Sequence, residues 1–306
     1  LKEIAEAFAK DLSSLPEEDP QVLAILNSYS HISLSMGKEF IPILEFLFPY
    51  LAKYIQADIG LVVEDADVHE YIPEDEKDEA EKAKIGSIVV SLGTNTKKLS
   101  LHTFALQNKI SSFTILNDIC LNMGTNFFPF TEKFLFFAKE LLKFPYSRKL
   151  RKTAIKSVYS CMNACNTDEE RNKILQFVQN EILGVFKYNV TCSYYREIKT
   201  YLKTFVDFTS LIHDKKIFTE GFIMELYNIL NSIVKNVKEK AEQILSITEA
   251  NGDCYDENDE DDQKADIERL NEINRRVMEL SGNIFKVIGD DLTPVIKSSL
   301  FDFFLQ

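Results

Sequence analysis

The sequence lacks the features that would place it in several broad classes of protein. None of its apolar runs reaches the ~18 residues that a membrane-spanning helix requires. The stretch richest in apolar residues, from Phe40 to Leu51, is interrupted by Pro42, Glu45 and Pro49. The five cysteines are an odd and scattered set, which argues against a disulfide framework and favours a reducing compartment. We therefore expect neither membrane insertion nor a disulfide-rich secreted domain.

The motifs that catalysis and metal binding require are missing as well. The histidines share no repeat position: they are His31, His69, His102 and His213. Gly37-Lys38 lacks the upstream glycine of a P-loop, and no nucleophile elbow or dinucleotide-binding motif occurs. Cys161 and Cys165 share a helix face, but no further ligand follows at zinc spacing, so we interpret both as buried core side chains. We therefore expect no enzyme activity, no cofactor and no metal site.

What the sequence does contain is a succession of amphipathic segments that come in pairs. The pairs are predicted at about 20–56, 104–143, 147–187, 191–248 and 264–306. Two helices thus recur roughly every 40 residues, close to the period of about 40–47 that is typical of HEAT and armadillo repeats. We therefore predict an all-α HEAT-repeat solenoid, a right-handed superhelix of antiparallel helix pairs, in a single array over 1–306. Such a solenoid works through its long surface, so a binding partner is expected before a substrate.

Local signals support the helix pairs. Asp19 before Pro20 places an N-cap acid ahead of an N1 proline. Thr167 and Glu170 have the spacing of a capping box. The aromatic residues, 23 Phe and 12 Tyr without any Trp, sit mainly at helical spacing. We interpret them as core and inter-repeat packing, with a minority available for shallow outer-face pockets that take Phe-containing peptides.

Two acidic insertions carry the net charge of −13. They are predicted at 57–103 and 249–263, each between the second helix of one pair and the first helix of the next. Their acidic residues are Glu64, Asp65, Asp67, Glu74, Asp75, Glu76, Asp256, Glu257, Asp259, Glu260, Asp261 and Asp262. Acidic segments repel nucleic acid and attract basic partners, although solvated loops without a dedicated role are the alternative.

The interior of each insertion carries one further pattern. In the first, two short apolar runs on either side of Gly93-Thr94-Asn95 predict a small β-hairpin. In the second, the acidic run resembles the start of a calcium loop. Position six is Asp261 where glycine is required, and position twelve is Ile267 where glutamate is required. We therefore expect at most weak, non-specific cation binding there.

Several short strings occur in an order and spacing that resemble a known family. They are Glu18-Asp19-Pro20-Gln21, Met36-Gly37-Lys38-Glu39-Phe40, Gly86 with Val90-Ser91-Leu92-Gly93, Phe130-Thr131-Glu132, Leu141-Leu142-Lys143-Phe144, and Tyr255-Asp256-Glu257. Together they resemble the karyopherin-beta nuclear transport receptors, in the middle portion of the karyopherin beta-three (importin-five) branch. The resemblance covers nearly the whole chain, with Ser87 where the family has tryptophan.

The resemblance implies a function in nuclear import. Family members bind lysine-rich localisation signals on a concave face formed by the second (B) helices of the pairs. Their cargo includes ribosomal proteins and histones, and the GTPase Ran in its GTP form releases it. Weak contact with Phe-Gly nucleoporins accompanies shuttling between cytoplasm and nucleus. By this resemblance the chain is a fragment of such a receptor, monomeric, with no direct nucleic-acid binding.

The residues themselves indicate where a basic peptide would bind. Acidic and amide side chains occupy the polar stripes of the predicted B helices. They are Glu39, Glu45, Glu132, Glu140, Asn172, Gln176, Asn180, Glu225, Asn228, Asn231 and Glu239. Amides can hold an extended peptide backbone, and carboxylates pair with lysine ammonium groups. The alternative for each residue is an ordinary solvated helix face, and the alternative function is a generic HEAT scaffold or regulatory subunit of a multiprotein complex.

Overall fold

The computed structural model describes residues 1–16, 19–60, 62–65, 85–92, 95–251 and 257–289. Within these ranges only the backbone is described at 20, 62–103, 217 and 247–263. The predicted last helix, 293–306, lies outside the described residues.

Helices make up most of the described chain. The α-helices are α1 (Lys2–Ser14), α2 (Pro20–Met36), α3 (Ile41–Gln56), α4 (Thr103–Met123), α5 (Thr131–Leu142), α6 (Arg148–Asn163), α7 (Asp168–Phe177), α8 (Leu183–Thr191), α9 (Tyr195–Thr209), α10 (Glu220–Asn251) and α11 (Glu257–Ile288). Short 3₁₀ segments lie at Gly37–Phe40, Gly124–Phe130 and Lys215–Ile217, and a π-helical segment, Val178–Ile182, joins α7 to α8. No described helix has the length and apolar character needed to cross a membrane.

The helix starts follow the sequence signals. The carboxylate of Asp19 accepts a hydrogen bond from the Gln21 amide at 2.8 Å, and Pro20 occupies the first position of α2. At α7 the capping box is complete, since the Thr167 side chain accepts from the Glu170 amide at 3.2 Å while the Glu170 carboxylate accepts from the Thr167 amide at 3.1 Å. Each cap satisfies amides that the first turn leaves without a partner.

The first of two compact units comprises residues 1–127. Within it α2 and α3 both pack against α4. The Tyr29 hydroxyl donates to the Ala5 carbonyl at 2.6 Å, which attaches α1 to α2. The Asn122 amide donates to the Ser30 carbonyl at 2.7 Å and so links α4 to α2. The core therefore combines apolar packing with hydrogen bonds between first helices of successive pairs.

A small antiparallel sheet lies between α3 and α4 in the chain. Strands β1 (Val62–Asp65), β2 (Ile85–Leu92) and β3 (Asn95–His102) are arranged in the order β1-β3-β2. The two predicted apolar runs pair as β2 and β3, with Ile88 opposite Leu99. The sequence did not predict β1, which pairs with the other edge of β3 and places Glu64 opposite Lys98.

The second compact unit, residues 128–306, has two layers of helices over its described part. In the first-helix layer α6 packs on α9, and α9 packs on α11. In the second-helix layer α5 contacts the π-helical segment, and α8 contacts α10. Contacts between the layers, such as α5 with α6 and α10 with α11, enclose the core. This layering is the arrangement that antiparallel helix pairs produce when they stack side by side.

The acidic insertions differ from their predicted extent. Helix α10 continues to Asn251 and α11 already begins at Glu257, so most of 249–263 is helical. Acidic residues at a helix N-terminus interact favourably with the helix dipole, which explains why this acidic run begins a helix. Five of the acidic residues lie at the start of α11: Glu257, Asp259, Glu260, Asp261 and Asp262. Glu64 and Asp65 lie in β1, and the others (Asp67, Glu74, Asp75, Glu76, Asp256) are outside the described residues.

Candidate functional site

The residues predicted to bind a basic peptide lie on the second helices of four of the pairs or in the short helical segments that adjoin them. Most of them are exposed, and Asn172, Glu225 and Asn231 are half-buried. Glu39 and Glu45 belong to the first unit, in the 3₁₀ segment before α3 and in α3. The second unit contains the others: Glu132 and Glu140 on α5, Asn172 and Gln176 on α7, Asn180 in the π-helical segment, and Glu225, Asn228, Asn231 and Glu239 on α10.

Two close approaches set the register of the second-helix layer in this unit. The Lys139 ammonium on α5 contacts the Glu181 carboxylate at 2.7 Å, across a separation of 42 positions in the chain. Gly221 and Gln179 are also 42 positions apart. A Cβ added at Gly221 would be 3.9 Å from the side-chain nitrogen of Gln179. The Asn236 amide donates to the Val190 carbonyl at 3.0 Å farther along both helices. The successive second helices therefore run side by side in the same direction.

This register brings some of the predicted residues to a common level. Glu140 follows Lys139, Asn180 precedes Glu181, and Glu225 lies one turn beyond Gly221, so these three side chains lie within about one helical pitch, ~5.4 Å, of one another along the helix direction. Glu132 lies nearer the N-terminal ends of the helices, and Glu239 nearer the C-terminal ends. We refer to the predicted residues of this unit, which are spread over the three successive second helices, as the strip.

The carboxylates of this strip are available for binding. Among the described residues, no hydrogen bond or ion pair engages the side chains of Glu132, Glu140 or Glu225. Glu239 is 3.9 Å from Lys235, an exposed pair on one helix that contributes little to stability. An exposed carboxylate without a fixed partner can accept an incoming ammonium group with little cost of rearrangement.

Glu181 is the acidic residue that the sequence reasoning missed. It lies in the π-helical segment, where one extra residue per turn rotates the side chains relative to an uninterrupted α-helix. A reading at 3.6-residue spacing therefore assigns this part of the helix to the wrong face. The signal that could have found it is the separation of 42 positions between Lys139 and Glu181, which equals one repeat.

A groove opens beside Glu181. Its volume is about 780 Å³. Leu142 and Val185 provide apolar floor, and Tyr188, which is 61% exposed, stands at its edge. Gly184 also lines the groove, and no atom lies within 4 Å of the position its Cβ would take. The remaining lining residues are Lys143, Pro145, Arg151, Asn180, Glu181, Asn189 and Tyr194.

The groove offers an apolar floor and one carboxylate, Glu181, to a long side chain with a cationic end, while its lining also holds the cations Lys143 and Arg151. A lysine carries an aliphatic stem that packs on apolar surface while its ammonium group stays near water or a carboxylate. The apolar floor can hold such a stem, and Glu181 lies at the rim to accept the ammonium. Lys139 already makes this contact with Glu181 from the neighbouring helix.

Neither the cysteines nor the histidines of the described residues form a metal-binding group. Within the described residues, no three His, Cys, Asp or Glu side chains lie close enough to hold a metal ion. Cys161 and Cys165 are buried, and the Cys165 thiol donates to the Cys161 carbonyl at 3.3 Å. Burial raises the pKa of the Cys165 thiol to about 12, so the thiolate that a metal would need is disfavoured. The interpretation of both as core side chains is consistent with this geometry.

Comparison with known proteins identifies the fold. No family model and no curated protein sequence matches the chain. A structure of Kap121p bound to Pho4p has a TM-score of 0.71 at 13% identity, and the match covers 99% of this chain and 26% of that one. Kap121p bound to RanGTP has a TM-score of 0.59 at 13% identity, covering 97% of this chain and 27% of that one. Kap121p bound to Nup53p has a TM-score of 0.61 at 14% identity, covering 96% and 27%.

These matches establish a class of fold. Kap121p is a karyopherin, and this chain spans about a quarter of its length. At such low identity the likeness shows the fold alone, which is the helical-repeat solenoid of the karyopherins. The all-α HEAT-repeat solenoid predicted from the sequence is thereby confirmed.

Proposed function

We propose that this chain is part of a nuclear import receptor of the importin-five branch and binds lysine-rich localisation signals on the second-helix layer. One observation carries the proposal: a lysine ammonium already contacts Glu181 at the edge of the 780 Å³ groove. A peptide lysine offers the same group. The free carboxylates of Glu140 and Glu225, near the same level, extend the strip to neighbouring lysines of one extended peptide.

The peptide backbone and its side chains would use different parts of the strip. Asn180, Asn228 and Gln176 are exposed amides, and each can both donate to and accept from a peptide backbone. The carboxylates of Glu132, Glu140 and Glu225 would pair with successive ammonium groups. Because Glu132 and Glu140 are exposed and Glu225 is only half-buried, each pair contributes modestly and is weakened by salt. Binding would therefore depend on several contacts at once.

Release and transport are proposed from the fold. Kap121p has been captured with RanGTP, with Nup53p and with several other proteins. By analogy, the full-length receptor that contains this chain would carry basic cargo such as ribosomal proteins and histones, release it on binding Ran-GTP, and contact Phe-Gly nucleoporins while shuttling between cytoplasm and nucleus. A solenoid suits this cycle because a bound protein can change the curvature of the stacked helices.

A charge-reversal pair tests the proposed surface. A fluorescent lysine-rich peptide is titrated with the wild-type chain, with Glu225→Lys, and with the control Glu268→Lys on α11, which makes the same change of charge on the other layer. We expect Glu225→Lys to weaken binding by about tenfold, equivalent to ~1.4 kcal/mol, and the control to change it less than twofold. Equal losses in both variants would mean that only net charge matters and would overturn the proposed site.

A further inference from the structure

The first-helix layer of the second unit carries a concentration of positive charge that the proposed function does not use. The sequence of α6, RKLRKTAIKSVYSCMN, has five basic residues and no acidic one. Its neighbour α9, YREIKTYLKTFVDFT, has three basic and two acidic residues. The chain as a whole has a net charge of −13. Two adjacent helices therefore differ sharply in charge from the rest of the protein.

The basic side chains of α6 lie near a lysine of α9. Arg148, Lys152 and Lys156 recur every four residues on α6 and so share one face. Lys199 on α9 lies close enough to Lys152 for its charge to affect it, and Arg196 and Lys203 share the face of Lys199. We refer to the following six residues as the basic patch: Arg148, Lys152, Lys156, Arg196, Lys199 and Lys203.

Burial and the crowding of these cations both act on the ionisation of Lys152. Partial burial, together with the charges of Arg148, Lys156 and Lys199, lowers the pKa of Lys152. The nearby Glu197 carboxylate opposes this shift only in part. Like charges that are held together without enough counter-charge destabilise a fold, so a patch of this kind is a site where an added anion would be stabilising.

The available carboxylates neutralise only part of the patch. Glu197 contacts both Arg148 and Arg151, each at 3.2 Å. Glu272 on α11 forms an ion pair with Lys199, and the hydrogen bond to that lysine lowers the pKa of Glu272. Among the described residues, no ion pair engages the other four members of the patch: Lys152, Lys156, Arg196 and Lys203.

The start of α6 adds to the imbalance. Arg148, Lys149 and Arg151 all lie in the first turn or so, where the positive end of the helix dipole disfavours cations by about 0.3–1 kcal/mol each. Among these helices, α7 shows the opposite and favourable arrangement, with Asp168, Glu169 and Glu170 in its first turn. Helix α6 therefore keeps a charge distribution that opposes its own stability.

We infer that the basic patch binds a short acidic segment of a protein partner. The spacing from Arg148 to Lys156 is eight residues, about 12 Å at 1.5 Å per residue. The neighbouring helices are about 8–10 Å apart. An extended peptide covers ~3.3–3.6 Å per residue, so four to six acidic residues match the patch. This surface lies on the first-helix layer, whereas the strip proposed for basic cargo lies on the second-helix layer.

The surroundings of the patch favour a short acidic peptide over nucleic acid. Helix α11, which packs against α9, carries Glu272, which contacts Lys199 of the patch, and Glu268 one turn before it. A duplex has a negative charge about every 1.7 Å of its axis and would run past the patch onto these carboxylates. A short acidic segment can end where the positive charge ends. The high negative charge of the whole chain also disfavours a long polyanion.

Peptide binding by the full chain tests this inference. The probe is a fluorescein-labelled peptide with six Asp and Glu residues between Gly-Ser flanks. Its binding is measured by fluorescence anisotropy at low salt. The patch variant is Lys152→Glu with Lys156→Glu. The matched control is Lys235→Glu with Lys238→Glu, which reverses two exposed lysines on α10. We expect at least tenfold weaker binding for the patch variant and less than a twofold change for the control.

Two further measurements distinguish peptide binding from a folding defect and from nucleic-acid binding. Glu272→Gln removes the carboxylate that engages Lys199 and is expected to strengthen acidic-peptide binding about two- to fivefold, which a folding defect could not produce. The inference is overturned if the wild-type chain does not bind the peptide, or if the patch and control variants lose binding equally. It is also overturned if a short DNA duplex binds more tightly than the peptide and is lost in the same patch variant.

Discussion

Lys139 and Glu181 occupy neighbouring helices one repeat apart, and their charged groups meet at 2.7 Å across 42 positions of sequence. The contact defines the register of the second-helix layer in the unit that contains it. It also shows that the edge of the groove accepts a lysine ammonium. The side chains are 51% and 31% exposed, so the contact adds little to stability and can be exchanged for another lysine.

Removal of Lys139 is the first prediction. Lys139→Ala leaves Glu181 without its ammonium partner, so we expect a lysine-rich peptide to bind two- to fivefold more tightly. Glu181→Gln removes the carboxylate itself and should weaken the peptide about fivefold. Anisotropy titrations measure both. Lys149→Ala, which removes one exposed positive charge from the other layer, is the control. An equal gain in that control would attribute the effect to net charge.

Gly184 provides a prediction with two readouts. No atom lies within 4 Å of the position its Cβ would take, so a Cβ fits without a clash, and Gly184→Leu replaces a poor helix former. We expect the free energy of unfolding to rise by about 0.5–1 kcal/mol. The new side chain would extend into the groove, so peptide binding should fall at least fivefold. Urea denaturation and peptide titration give the two values.

The control for this substitution is Gly282→Leu on α11. Gly282 is also helical, and no atom lies within 4 Å of its Cβ position. It should show the same gain in stability and no loss of peptide binding. If Gly184→Leu gained stability and bound the peptide normally, the groove would not be part of the binding surface.

Hydrogen bonds between successive repeats are predicted to contribute to stability. The half-buried Asn236 side chain donates to the Val190 carbonyl at 3.0 Å, joining α10 to α8. Asn236→Ala leaves that carbonyl without this donor, and we expect unfolding to cost about 1–2 kcal/mol less. Asn228→Ala, at an exposed position on the same helix, should change stability by less than about 0.5 kcal/mol. Equal effects in urea melts would contradict the inter-repeat role.

Thiol reactivity offers a prediction about the core. Burial raises the pKa of Cys165 to about 12, and Cys120 and Cys161 are also buried, whereas Cys192 is half-exposed. In a Cys254→Ser background, maleimide at neutral pH should label Cys192 first and the other three only after unfolding. Mass spectrometry of digested samples identifies the labelled residue. Early labelling of Cys165 would be inconsistent with the packing of α6.

The pH dependence follows from the same shift in Cys165. In the unfolded chain the thiol loses its proton near pH 9, whereas in the fold it keeps the proton until about pH 12. The folded state therefore binds more protons between these values, and stability should fall as pH rises through this window. Cys165→Ala should remove this part of the decline. An identical pH profile in that variant would assign the decline to other groups.

The parts of the fold that local sequence determines could be predicted. Helix α2 begins and ends at the predicted residues 20 and 36, because an N-cap acid, a proline and a following glycine mark its ends. In α10 the apolar stripe from Leu226 to Ile244 is mostly buried, and the polar stripe that starts at Glu225 is mostly exposed, as helical periodicity predicts.

The parts that depend on distant contacts could not be predicted. Strand β1 has four residues and exists through its pairing with β3, more than thirty positions later, which no local pattern reveals. The π-helical segment shifts the face on which Glu181 lies. The binding residues predicted from the sequence therefore did not include Glu181, the carboxylate that contacts Lys139. The basic patch arises because α6 and α9 pack side by side although 47 positions separate Lys152 from Lys199. Each of these features is set by tertiary packing rather than by propensity.

The most direct measurement is to locate a bound basic peptide on the chain. A lysine-rich peptide with a benzophenone side chain at one position is photo-crosslinked to the wild-type chain at low salt and again at moderate salt, and the products are digested and sequenced by mass spectrometry. We expect cross-links in α5, α7, α8 and α10, concentrated near Glu140, Glu181 and Glu225, with a yield that falls as salt rises. Cross-links confined to α6, α9 or α11 would contradict the proposed binding surface.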